Sequence, residues 1–209
     1  SNMRYSGCMK KRIFFLLSFI LLYLVGSAFI ALANDLQDGL YSHDAGEYDS
    51  AKQLLLPLAE QGNAIAQLVI GSMYELGKGV QQNYSEAAKW YKLSAEQGNA
   101  GAQNLLGLFF EKGRGFPQNY VEAVKWYKLS AEQGNAGAQN LLGLFFEKGR
   151  GFPQDYVEAV KWYQLSADQG YALSQLFLGD RYYLGQGVQQ NFIEAAKWFE
   201  LAAMQGLKN

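Results

Sequence analysis

The sequence predicts an all-α protein, an α/α solenoid of stacked helical hairpins wound into a superhelix. Three observations predict it. Residues Asn99–Gly134 are followed at once by a near copy, Asn135–Gly170, which differs only at Asn119/Asp155, Lys128/Gln164 and Glu132/Asp168. Looser copies flank the pair at Asn63–Gly98 and Tyr171–Gly206, all with a period of 36 residues. Within each copy, apolar residues recur at helical spacing and glycines mark the stops. A fixed period of this size signals units that bury their apolar faces only against their neighbours.

The chain opens with Ser1-Asn2 before Met3, read as a tag remnant outside the fold. Lys10-Lys11-Arg12 then precedes a mostly apolar run from Ile13 to Ala33 that ends in the small-x-small site Ala31-Leu32-Ala33. Residues 3–33 therefore read as a secretory signal peptide, with Asn34 as the mature N-terminus. An uncleaved anchor is the rival reading, because the run is just long enough to span a bilayer. Residues 34–62 form a degenerate cap repeat. Tyr48, Ala51, Leu55, Ala59 and Gly62 fall 36 residues before Tyr84, Ala87, Tyr91, Ala95 and Gly98, and Asp35–His43 supplies the partner helix. Pro57 lies inside the second helix, where it is expected to cause a bend near Gln53.

Four full repeats follow at 63–98, 99–134, 135–170 and 171–206, then a tail at 207–209. In the second repeat, Gly98 suits a left-handed helix end and Asn99 an N-cap. Ala102, Leu105, Leu106, Phe109 and Phe110 set a helical stripe up to Lys112. Gly107 interrupts it, and its equivalents are Gly71, Gly143 and Gly179. Mid-helix glycine costs about 1 kcal/mol against alanine, so its recurrence predicts a neighbouring helix pressed against the backbone. A turn-rich Gly113-Arg114-Gly115-Phe116-Pro117 ends this helix. The second helix starts at a capping box, Asn119-x-x-Glu122, repeated as Asn83…Glu86, Asp155…Glu158 and Asn191…Glu194. Ala123, Trp126, Tyr127, Ser130 and Ala131 form its buried stripe. The total is ten helices in five hairpins, with no strand. At the far end Met204 stands where Glu132 and Asp168 stand, so the last helix presents an apolar residue outward, and a homodimer through the C-terminal repeat is one reading.

The recurring pattern is A-x3-LG-x2-[YF]-x2-G-x-G, then A-x2-W-x3-[AS]A-x2-G. In the second repeat it is carried by Ala102, Leu106, Gly107, Phe110, Gly113, Gly115, Ala123, Trp126, Ser130, Ala131 and Gly134. It resembles the Sel1-like repeat, a relative of the tetratricopeptide repeat, over Asn63–Gly206. Phe116-Pro117 and Phe152-Pro153 depart from the valine usual in that loop, as at Val80 and Val188, and should stiffen the turn. The resemblance implies an adaptor that assembles other proteins, in bacteria often at the envelope or toward a host.

Composition narrows the function. Removing residues 1–33 takes four of the 18 basic residues and none of the 19 acidic ones, leaving a formal charge of −5. That argues against nucleic acid, which needs a basic stripe. The only cysteine, Cys8, goes with the leader, so no disulfide is available. The cysteine-rich branch of the resembled family staples its repeats with bridges; this chain relies on packing.

No cofactor, metal or catalytic site is predicted. The four Gly-x-Gly pairs lack the strand and the lysine-serine of a phosphate loop and read as turns. Trp90, Trp126, Trp162 and Trp198, one per repeat on a packed stripe, read as core rather than as a sugar- or base-stacking ladder. His43 beside Asp44 and Glu47 is a lone histidine, short of the convergent ligands that metals need. Some relatives are associated with β-lactam binding or hydrolysis. That chemistry uses a Ser-x-x-Lys motif, which is missing here, since Ser85 and Lys89 are four apart.

The remaining candidate is a surface. In the related tetratricopeptide fold the first helix of each hairpin lines the concave face. Carried over, this gives the rows Ile65/Gly101/Gly137/Leu173, Leu68/Asn104/Asn140/Leu176, Ser72/Leu108/Leu144/Asp180, Glu75/Glu111/Glu147/Tyr183 and Leu76/Lys112/Lys148/Leu184. Asn104, Leu108, Glu111, Lys112, Asn140, Leu144, Glu147, Lys148, Asp180 and Tyr183 are the candidate protein-binding residues. Asparagine can both donate to and accept from an extended peptide. The bland alternative is a soluble inner face copied along with its repeat. The reading is a non-enzymatic scaffold that binds a protein or peptide, is exported to the periplasm or secreted, and has no membrane contact after cleavage. The alternatives are a peptidoglycan- or β-lactam-related binder or hydrolase, and a self-assembling structural module.

Overall fold

The structure is a computed structural model and describes residues 34–206. The leader, its cleavage site and the tail at 207–209 lie outside the described residues. Ten helices and no strand occupy the described chain: α1 (34–44), α2 (Tyr48–Glu60), α3 (Ala64–Leu76), α4 (Tyr84–Glu96), α5 (Ala100–Lys112), α6 (Tyr120–Glu132), α7 (Ala136–Lys148), α8 (Tyr156–Asp168), α9 (Ala172–Leu184) and α10 (Phe192–Met204). From α2 to α10 each substantial contact joins helices consecutive in sequence, the quasi-one-dimensional stacking of a solenoid. α2 runs unbroken through Pro57.

Local chemistry sets most boundaries, although Glu47 and Tyr171, which precede α2 and α9, make no side-chain cap. Asn63, Asn99 and Asn135 cap α3, α5 and α7 by accepting from Ala66, Ala102 and Ala138 N–H. Gly113 closes α5 in the left-handed region at φ 66°, which a side chain rarely adopts. Asn119 caps α6 by accepting from Glu122 N–H. The capping box is only half formed. The N-cap N–H of Asn119 donates instead to Phe110 O of the paired helix at 2.9 Å. The Glu122 carboxylate, freed from that task, pairs with Lys125. The same division holds at Asn83, Asp155 and Asn191, whose N–H groups go to Tyr74, Phe146 and Tyr182 carbonyls.

The core is a ladder of tyrosines. Tyr91, Tyr127 and Tyr163 are fully buried, each against the glycine of its partner helix. A methyl on Gly107 would lie 2.6 Å from Tyr127 Cδ1, so the recurring glycine is the socket for the ring, as the helix stripe predicted. Between repeats, Phe109 meets Tyr91 edge-to-face at 5.1 Å and Phe145 meets Tyr127 at 5.4 Å. The tryptophans pack at the margins of these clusters and stay half-buried. The second glycine of each Gly-x-Gly is where hairpins touch: a methyl on Gly115 would lie 2.5 Å from Tyr84 O.

Polar ladders seal the interfaces. Gln103 is buried, donates to Ala95 O at 3.2 Å and accepts from Gln133 Nε2 at 2.7 Å. Gln67, Gln139 and Gln175 repeat the arrangement with Gln97, Gln169 and Gln205. Ser94, Ser130 and Ser166 are buried in the tyrosine-bearing helices and donate to Ala64, Ala100 and Ala136 carbonyls at 2.7 Å. Buried polar groups left unpaired are costly, so these bonds fix the register between helices.

Candidate protein-binding face

The candidate residues all lie on the odd-numbered helices, which meet one another along a shared face. Leu68 of α3 borders Gly101 of α5, Asn104 of α5 borders Gly137 of α7, and Asn140 of α7 bonds to Ser174 of α9. Their side chains have separate fates.

The glutamate row is occupied. Glu111 Oε2 accepts from Tyr127 Oη at 2.7 Å, and its Oε1 accepts from Arg150 Nη1 of the next repeat at 3.2 Å. Glu75 is held likewise by Tyr91 and by Arg114. Glu147 accepts from Tyr163 Oη at 3.0 Å and pairs with Lys148 at 2.9 Å and Arg181 at 3.5 Å. The Glu111 and Glu147 side chains are only 14% and 10% exposed. These carboxylates fasten one repeat to the next. Burial, reinforced by the glutamate each one faces, pushes the Tyr91, Tyr127 and Tyr163 hydroxyls well above the ordinary tyrosine range.

The fourth repeat keeps the fastening by a swap. Gln186 stands where Arg114 and Arg150 stand, and Arg181 stands where Phe109 and Phe145 stand. Arg181 Nη1 donates to Gln186 Oε1 at 2.7 Å, while its guanidinium lies 5.4 Å from the Tyr156 ring centre. Arg150 lies 5.7 Å from the equivalent ring, Tyr120. The guanidinium thus comes from the helix when the loop no longer supplies it. Asp180 beside it is pushed up by burial; Arg181 opposes that shift and Glu147 adds to it.

The asparagines are less open than the sequence implies. Asn140 is buried and accepts from Ser174 Oγ at 2.8 Å, so its oxygen is not available to a peptide. Asn104 is half-buried, and its Oδ1 is enclosed without a partner. Leu108 and Leu144 are half-buried, Lys112 and Lys148 are exposed, and Tyr183 is exposed with an edge-to-face contact to Phe192 at 5.4 Å. What this face offers a partner is therefore leucine and lysine, not asparagine and glutamate.

Lys89 Nζ pairs with Glu86 rather than turning to Ser85. His43 contacts Asp44 at 3.3 Å and meets Tyr48 edge-to-face, and no group of three metal-ligating side chains forms among the described residues. No helix among them is long and apolar enough to cross a membrane. The glutamine ladder and the Glu–Arg fastenings were missed in the sequence. A signal existed, since Glu75/Arg114 and Glu111/Arg150 share one spacing across a repeat boundary.

The Sel1 repeat matches at 64–99, 100–135, 136–171 and 172–207. The chain belongs to the Sel1 repeat family. A Sel1 repeat protein from Oxalobacter formigenes is similar at 37% identity and TM-score 0.77, over 82% of this chain and 71% of that one. The protective antigen c5321 of uropathogenic Escherichia coli, which displays the same fold, is 35% identical at TM-score 0.80 over 84% of this chain. The chain spans only 38% of that antigen's length. Among curated proteins no match was found. Sel1-repeat proteins are generally protein-interaction scaffolds and typically non-catalytic.

Proposed function

We propose that this Sel1-repeat chain is an exported bacterial adaptor that binds a protein or peptide along the face of α3, α5, α7 and α9, without catalysis. One observation carries the binding site. On this face Glu75, Glu111 and Glu147 are spent inside the fold, while Lys112 and Lys148 are exposed and Leu108 and Leu144 half-exposed beside them. Solenoids recognise partners on extended surfaces of this kind. Export rests on the basic-apolar leader ending at Ala33, and the likeness to an antigen of a pathogenic bacterium supports it. Periplasm or secretion is the proposed address.

The test is affinity capture from the native envelope fraction, followed by binding of the captured partner to Leu108→Glu and to Lys92→Glu. Loss confined to Leu108→Glu supports the face. N-terminal sequencing of exported protein tests cleavage, with Asn34 the expected first residue. A second reading, association of copies through α10, rests on Phe192, Ile193 and Met204, which are 59%, 71% and 74% exposed. Sedimentation that stays monomeric at high concentration rejects it.

A further inference from the structure

Resting on that reading, we infer that the ligand of this face is an extended acidic peptide, with carboxylates spaced to meet Lys112 and Lys148 in turn. Charge complementarity points to it. The described chain is acidic overall, yet this face is not. Its carboxylates are Glu75, Glu111, Glu147 and Asp180; its cations are Arg114, Arg150, Arg181, Lys112 and Lys148. Glu75 and Glu111 are each matched by one arginine, and Glu147 by Arg181 and Lys148 together. Lys112 pairs with no carboxylate among the described residues, whereas the lysines of α4, α6, α8 and α10 do: Lys89, Lys92, Lys125, Lys128, Lys161 and Lys197. Exposure sharpens the asymmetry, because the Lys148 side chain is 53% exposed and Glu147 only 10%. A partner approaching this face meets ammonium groups first.

Geometry makes the ligand extended. Lys112 and Lys148 end successive odd-numbered helices, α5 and α7. Side chains of successive odd-numbered helices touch, Asn104 at Gly137 and Asn140 at Ser174, which sets their axes about 10 Å apart, a span that an extended chain covers in about three residues. Leu108 and Leu144 lie one helical turn before the lysines and offer apolar contact between the charged points. Gly101 and Gly137 add clearance. They occupy the row held by Ile65 and Leu173, in helical conformation with no left-handed φ. A methyl on Gly137 would meet only Asn135 Oδ1 at 3.3 Å and Asn104 Nδ2 at 3.9 Å. The ring-socket role of Gly107 is absent here, and the effect of these two glycines is a floor bare of side chains between two apolar ends.

The test uses the full chain and fluorescein-labelled octapeptides of Ser, Gly and Leu carrying two glutamates at separations of one to five, with a matched lysine series and an uncharged series. Anisotropy should show tightest binding near a separation of three in the glutamate series. Lys112→Ala with Lys148→Ala should weaken it about two- to thirty-fold, as expected for two solvent-exposed ion pairs. Added salt should weaken it as well. Lys128→Ala on α6 should change nothing. Lysine peptides binding as well as glutamate peptides, no glutamate peptide binding at all, or insensitivity to the double variant overturns the acidic ligand. Uncharged peptides that bind and are lost with Leu108→Asn would overturn it while leaving the binding face in place. Peptide binding indifferent to both Leu108 and the lysines would remove the face itself.

Discussion

Ser174 Oγ donates to Asn140 Oδ1 at 2.8 Å, and one repeat earlier Ala138 stands in place of Ser174 while Asn104 Oδ1 is enclosed without a partner. Two nearly identical repeats thus differ in one satisfied acceptor, decided by the residue that follows each. Ser174→Ala leaves the Asn140 oxygen buried and unpaired, at a cost of about 1–3 kcal/mol. Ala138→Ser supplies the missing donor and should stabilise by about 1 kcal/mol. Urea unfolding of both variants checks the pair; a destabilising Ala138→Ser contradicts it.

Glycines at two positions of the same helix should respond in opposite directions. Gly107→Ala drives a methyl into the Tyr127 ring and should cost about 1–3 kcal/mol. Gly101→Ala restores helix propensity and should gain up to about 1 kcal/mol. Its methyl would lie 3.3 Å from Asn99 Oδ1, a contact the fold already accepts where Ile65 follows the equally placed cap Asn63. Thermal unfolding of the two variants separates the roles.

Alkaline stability follows from the tyrosine ladder. The folded state holds the Tyr91, Tyr127 and Tyr163 protons more tightly than the unfolded chain does, chiefly through burial. Their contribution is therefore complete below the unfolded value, about pH 10, and is lost as pH rises beyond it. Ultraviolet titration should show these three ionising together with loss of helical dichroism. Ionisation of all tyrosines while helicity persists would contradict the burial.

Excising Asn135–Gly170 should leave a folded, shorter solenoid. The new Gly134–Tyr171 junction resembles the natural Gly170–Tyr171 one. It also brings Ser174 to Asn104 and Arg181 to Glu111, so both interface devices re-form by repeat equivalence. Stability should fall by about one repeat and one interface. Chemical unfolding measures the loss, and a variant unable to fold refutes additivity.

Much of this was legible in the sequence, because the period makes each residue a four-fold observation. The Gly107 stripe gave away the close approach, and the Asn119 motif gave the helix start. The destination of the N-cap N–H was not legible, since Phe110 O is reached across the hairpin turn. Nor was the fate of the inner rows. Asn104 and Asn140 are the same residue in the same local sequence, and only Ala138 or Ser174 distinguishes them. Glu111 and Glu147 look like open charges until Tyr127, Arg150, Tyr163 and Arg181 are placed around them. Periodicity reveals the helices; which side chains consume one another depends on the packing between repeats.

Recognition is proposed to lie on the face of the odd-numbered helices. Calorimetry with the captured partner tests it most directly, using Leu108→Glu on α5 and Lys92→Glu on α4, with thermal unfolding as the folding control. The account predicts at least about a tenfold loss for Leu108→Glu, which sets a desolvated charge in an apolar contact, and a change within about twofold for Lys92→Glu, whose side chain is exposed on the opposite helix layer. Equal losses, or a loss confined to Lys92→Glu, would place recognition on the even-numbered helices and contradict the account.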